Sequence, residues 1–161
     1  MLVYENTKSA FLDDILEDRL VPEIKQGYES QGLGIGSDSE VRAWENSFQY
    51  MYKVLHGSDV PPDAGVAIEF KIPLTSRRVD FLISGYDAED TSRVVIVELK
   101  QWGGHNTEPV ESKDGIVTTL LGGGLRETTH PSYQALSYAQ LMEDFNRSVQ
   151  KQSIELQPAA Y

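Results

Sequence analysis

The chain has 161 residues, 40% of them hydrophobic, which is enough for one buried core and too little for two comfortable domains. It contains no Cys, so a disulfide framework and a thiolate zinc site are excluded and nothing suggests an oxidising compartment. With 14 Lys and Arg against 25 Asp and Glu, the formal charge of -11 argues against retention on nucleic acid by bulk charge, and any phosphate site must be local.

No apolar run approaches the roughly 18 to 20 residues of a membrane span, and MLVYENTKSAFLDD lacks the basic and apolar regions of a signal peptide. A soluble protein with no membrane partner is expected, with the cytoplasm as its default location. After Asn6 and Thr7, either of which can cap a helix, Phe11, Leu12, Ile15, Leu16 and Leu20 fall near helical spacing. The pattern predicts a helix from Lys8 to about Gln26, interrupted near Pro22. GYESQGLGIGSDSE reads as a loop ending in a capping box, Ser37 with Glu40. A second helix runs from there to about His56, with Val41, Trp44, Phe48, Met51 and Leu55 on one buried stripe.

From Val66 the period becomes strand-like. VAIEFKIPL (66–74), RVDFLISGYD (78–87) and VVIVELKQW (94–102) are separated by connections short enough for an antiparallel meander. GIVTTLL (115–121) is a weaker strand ahead of the turn at 122–124. After His130-Pro131, a helix over about 132–150 is predicted from Ala135, Tyr138, Ala139, Met142, Phe145 and Val149. SIELQPAAY starts as another strand. These elements predict a single α/β domain over 1–161, a central mixed sheet flanked by helices, with 1–36 as an N-terminal helical extension and loop.

Alternate residues of a strand share a face, so Glu98 and Lys100 project together from a face that is apolar upstream. Burying an ammonium and a carboxylate there is costly unless they have partners or a task. Asp80 interrupts the neighbouring apolar run in the same way. Two adjacent carboxylates repel unless a proton or cation lies between them, and a hard divalent ion such as Mg²⁺ or Mn²⁺ takes such oxygen ligands. The pattern is therefore either a buried structural ion pair or a metal site able to support phosphodiester hydrolysis, with Lys100 beside the scissile phosphate. E-x-K alone carries little information; its place at the end of an apolar strand gives it weight.

VDFLIS followed by VVIVELKQW resembles the D…E-x-K core of the PD-(D/E)XK nuclease superfamily, with Val79 in place of its literal Pro. QALSY (134–138) is similar to the Q-x-x-x-Y motif of some exonuclease branches. RAWENSFQYMYKVL, GGGLRETTHPSYQA and IELQPAAY extend the resemblance over nearly the whole chain, to bacterial proteins in which a nuclease-like N-terminal domain precedes a Schlafen-like helicase or ATPase. The resemblance implies a restriction-endonuclease-like fold within a longer chain, and a Mg²⁺- or Mn²⁺-dependent nuclease acting on DNA or RNA beside a C-terminal helicase or ATPase domain. It implies Asp80 and Glu98 as metal ligands, the Leu99 carbonyl as a third, Glu45 as an outer acidic ligand and Lys100 as the catalytic lysine. Gln134 and Tyr138 would touch nucleic acid or brace the site. The rivals are a nucleic-acid-binding or regulatory module without turnover, and an acidic protein-interaction domain.

Arg78 and Arg126 belong to a small basic rim suited to substrate phosphate or are ordinary surface charges. Arg126 and His130 could meet phosphate at the start of the third helix, or be loop side chains. His105 could face the site or be a solvated loop residue. Trp102 reads as a base-stacking platform or as packing. Gly32, Gly34 and Gly36 lack the preceding strand of a dinucleotide fingerprint, and the run at 122–124 lacks the Gly-Lys-Ser/Thr of a phosphate loop.

Overall fold

Tyr4–Thr7 forms β1, and Thr7 then caps α1 (Lys8–Leu16) by accepting the Ala10 N–H on its side-chain oxygen. The computed structural model containing them describes residues 2–34, 38–73, 75–100, 102 and 106–161. Ser37 and His105, and with Ser37 the capping box, lie outside the described residues. The break after α1 comes at Asp18, at φ 55, before Pro22 is reached; α2 (Leu20–Ser30) then carries Pro22 in its first turn, where an N–H is not needed. The helix that follows, α3 (Asp38–His56), has the expected buried stripe of Trp44, Phe48, Met51 and Leu55.

The meander is β2 (Gly65–Lys71), β3 (Arg78–Tyr86) and β4 (Ser92–Glu98), antiparallel throughout. β1 extends it on one side. On the other, the final strand β8 (Glu155–Ala160) pairs parallel with β4, giving a five-stranded mixed sheet in the order β1-β2-β3-β4-β8. Pro158 is tolerated in β8 because that strand is at the edge. A parallel neighbour requires a crossover, and the chain makes it through α4 (Pro131–Phe145), which packs on β4 and β8. The helix expected to run to about residue 150 is divided: Asn146 accepts the Ser148 and Val149 N–H groups and starts α5 (Arg147–Gln152).

The sheet separates two cores. Phe11, Ile24, Tyr28 and Phe48 cover Val66, Ile68, Phe81 and Val97 on one face. Tyr138, Ala139 and Met142 cover Leu82 and Ile96 on the other. Of the N-terminal helical extension expected over 1–36, α1 and α2 supply Phe11, Ile24 and Tyr28 to the packing of the sheet. The edge strand β1 was not foreseen, because YENT has no apolar alternation and only Tyr4 of the four is buried.

The weak strand at 115–121 is β6 (Ile116–Leu121). It pairs across the glycine turn with β7 (Gly124–Thr129) and on its other edge with β5 (Glu108–Pro109), making a separate three-stranded sheet. This sheet is tied to the start of α4. The His130 N–H donates to the Gly115 carbonyl at 2.7 Å, and a Cβ at Gly115 would lie 2.7 Å from the Tyr133 ring. Among the described residues, no helix is long and apolar enough to cross a membrane.

Candidate active site

The β3–β4 ladder sets Phe81 opposite Val97 and Leu82 opposite Ile96, and one further step of that register brings Asp80 level with Glu98. The Leu99 N–H donates to Asp80 Oδ2 at 2.9 Å, which holds the carboxylate against the end of β4. On the β2 side the ladder pairs Ile68 with Phe81 and Phe70 with Val79, passing over Glu69 and Asp80. Glu69 has φ 55, a left-handed conformation foreign to a strand, so the ladder is interrupted at the level of the acidic residue.

Glu98 is completely buried at 0% exposure. Its Oε1 accepts from Lys100 Nζ at 2.5 Å and from Gln134 Nε2 at 2.5 Å. Its Oε2 is also buried and accepts no N–H or hydroxyl hydrogen bond, although the Asp80 carboxyl is near enough to share a proton with Glu98. Gln134 Nε2 further donates to the Tyr138 hydroxyl at 2.8 Å, as residues four apart on one helix face can. Sequence spacing thus correctly anticipated that Asp80, Glu98 and Lys100 meet, and that Gln134 and Tyr138 share a face. Lys100, however, lies two residues beyond the end of β4, where the Glu98 carbonyl and Lys100 N–H still bond to Tyr161.

The electrostatics follow from burial. Loss of solvent, and then the Asp80 charge, push the Glu98 carboxyl up to about 7. Burial also raises Asp80, against the Leu99 N–H and the Lys100 charge, which favour its ionised form. For Lys100, burial works against the ammonium, but the hydrogen bond to Glu98 and the two carboxylates overcome it and hold the amine above its ordinary range. The Tyr138 hydroxyl is raised by burial and by Glu98.

Among the described residues, no group of three or more His, Asp or Glu side chains is placed to hold a metal ion. The acidic donors at this point are the pair Asp80 and Glu98. That set suits Mg²⁺ or Mn²⁺, which bind through one or two carboxylates and complete their shell with water and substrate phosphate. The unbonded Glu98 Oε2 is a buried acceptor that a proton or a cation would satisfy.

Several expected residues are elsewhere. Glu45 faces away and lines a cavity with Asp14, Asp18 and Phe48, so the extra acidic ligand expected on α3 is not brought to the pair. Arg78 points to the α2 side: its Nη1 bonds the Tyr28 hydroxyl at 2.5 Å and Glu69 Oε2 at 3.2 Å, with the guanidinium over the Tyr28 ring. Arg126 is exposed on β7 opposite Thr119, carried by the smaller sheet. His130 caps α4, its Nδ1 accepting the Ser132 N–H at 3.2 Å.

Two residues near the site are not among the chosen site residues, where Arg77 counts only as one member of the basic rim. Arg77, next to the chosen Arg78, sits over the Tyr138 ring at 5.9 Å and donates to Ser137 Oγ at 3.3 Å, which makes it the arginine on the Gln134–Tyr138 side. Adjacent arginines diverge, and the alternation of side chains could have separated them. Glu69 is raised by burial and, more weakly, by the charge of Asp80; its interruption of VAIEFKI was the available signal.

No protein-family model, curated protein or solved structure matches the chain.

Proposed function

We propose that the chain is a metal-dependent nuclease module of restriction-endonuclease-like fold, hydrolysing phosphodiester bonds of DNA or RNA. The order of helices, three antiparallel strands, crossover helix and parallel fourth strand supports the fold reading. The observation that carries the function is the convergence of Asp80, Glu98 and Lys100 with one buried carboxylate oxygen left unbonded. Asp80 and Glu98 would hold Mg²⁺ or Mn²⁺, with the Leu99 carbonyl as a third oxygen ligand. When bound, the ion supplies Lewis-acid stabilisation of charge on the scissile phosphate. Lys100 holds the phosphate or orients the attacking water, Gln134 fixes Glu98, and Arg77 offers a second cation to the polymer. With a charge of -11, either a C-terminal helicase or ATPase domain would supply the wider track or the substrate would be short and threaded.

The test is cleavage of labelled single- and double-stranded DNA and RNA with Mg²⁺ or Mn²⁺. Metal-dependent cutting that disappears in Lys100→Ala and Glu98→Gln supports the enzyme. A second reading, a nucleic-acid-binding module without turnover, is favoured by the complete burial of Glu98 and by the engagement of Lys100 in an ion pair with it. Binding without cutting under both metals would decide for that reading.

A further inference from the structure

Beside Lys100, on the α3 side of the β4 end, lies an open cleft of about 480 Å³ lined by Tyr50, Trp102 and Tyr161, with Asn46 and Ser47 at its polar wall. Its volume is that of an ordinary small-ligand site. The aromatic groups are placed for use: Tyr50 is 47% exposed and Tyr161 53% exposed, with ring centroids 6.0 Å apart and planes inclined by 43°. Lys53 Nζ stands 5.0 Å from the Tyr50 ring centre, adding a cation at the rim. Among the described residues, neither buried cluster includes these three aromatic side chains.

We propose that this cleft is a stacking subsite for an unpaired nucleobase, so that the preferred polymer is single-stranded. The inference rests on the nuclease reading for its occupant and deepens it. Lys100 lines the cleft and also bonds Glu98, so a backbone phosphate held at Lys100 leaves an adjoining base at the mouth of the cleft. Every base has a π face that can stack on Tyr or Trp, while Asn46 can bond to a base edge. A base still paired in a duplex has its faces occupied by its neighbours and cannot enter without unstacking. The lysines at 53 and 100 supply positive charge locally in a chain that is acidic overall.

The experiment is a fluorescence titration of the full chain in Ca²⁺ with 12-mers of oligothymidylate, oligouridylate, an abasic strand of equal length and a duplex. Trp102 lines the cleft and Trp44 is buried, so quenching on binding reads the proposed subsite, and Trp102→Phe identifies its source. We expect quenching by one or both base-bearing strands and an affinity about tenfold above that for the abasic strand and the duplex, reduced to the abasic value in Tyr50→Ala. Stronger binding by the thymidylate or uridylate strand assigns the subsite to DNA or RNA. Equal affinity for base-bearing and abasic strands overturns it, as does duplex binding equal to single-strand binding. If metal-dependent cutting persists with no base dependence, the subsite fails and the nuclease stands. Base-dependent quenching without any cutting leaves the subsite standing and removes the nuclease.

Discussion

Gln134 on α4 donates its side-chain amide to Glu98 Oε1 at 2.5 Å across 36 residues of sequence, and the same amide reaches the Tyr138 hydroxyl on its own helix. This contact connects the crossover helix to the acidic strand end and fixes one oxygen of a carboxylate whose other oxygen is unbonded. Loss of a group that orients a metal-ligating side chain typically costs about 10- to 100-fold in metal affinity or activity. We therefore expect Gln134→Ala to lower metal-dependent cleavage by about one to two orders of magnitude with the fold intact by circular dichroism. Tyr138→Phe, which keeps the ring beneath Arg77 and removes only the hydroxyl, should cost less.

Burial, and then the Asp80 charge, push the Glu98 carboxyl up to about 7. A carboxyl raised in the folded state contributes stability that is full below its unfolded value near 4.5 and is lost as pH rises through about 7. Metal-free protein should accordingly lose stability between pH 4.5 and 7, at a rate of up to about 1.4 kcal/mol per pH unit. Glu98→Gln keeps a carbonyl acceptor for Lys100 and Gln134 but cannot ionise, so its urea midpoint should fall less over the same interval. An equal fall in both proteins would contradict the assignment of the titration to Glu98.

The same proton would compete with the proposed divalent ion. Calorimetric affinity for Mn²⁺ should rise about tenfold per pH unit below 7 and level off above it, because one bound proton must leave Glu98 first. Asp80→Asn should lose most of this affinity. An affinity flat from pH 5.5 to 8 would place the ion elsewhere.

The adjacent arginines should separate by phenotype. Arg78→Ala leaves the largely buried Glu69 without its cationic partner, and a loss of about 1–3 kcal/mol in unfolding free energy is expected. Arg77→Ala removes an exposed side chain beside Tyr138, so the midpoint should hardly move while KM for the polymer rises. The reverse result would reassign the basic contribution to Arg78.

The core gives an independent check on the architecture. Phe81 has no exposure and packs edge-on against Phe11 at 5.2 Å and near Phe48 at 6.3 Å, joining α1 and α3 to the central strand. Phe81→Ala should destabilise by about 3–5 kcal/mol in urea unfolding, a cavity cost that surface changes do not approach.

Chain periodicity by itself determined the meander, the stripe of α3 and the sharing of a helix face by Gln134 and Tyr138, because all of these are properties of successive residues. It also put Asp80 and Glu98 on neighbouring strands, since short connections leave little freedom in pairing. Only the tertiary structure decided how β8 adds beside β4, which way each arginine of the 77–78 pair turns and that Glu45 faces another cavity. Those outcomes depend on contacts between distant segments and on rotations of a helix about its axis, and one residue step along α3, about 100°, is enough to change the face a side chain takes. Burial was likewise invisible before folding: the 2.5 Å bonds at Glu98 Oε1 and the unbonded Oε2 arise only when α4 closes over the strand end.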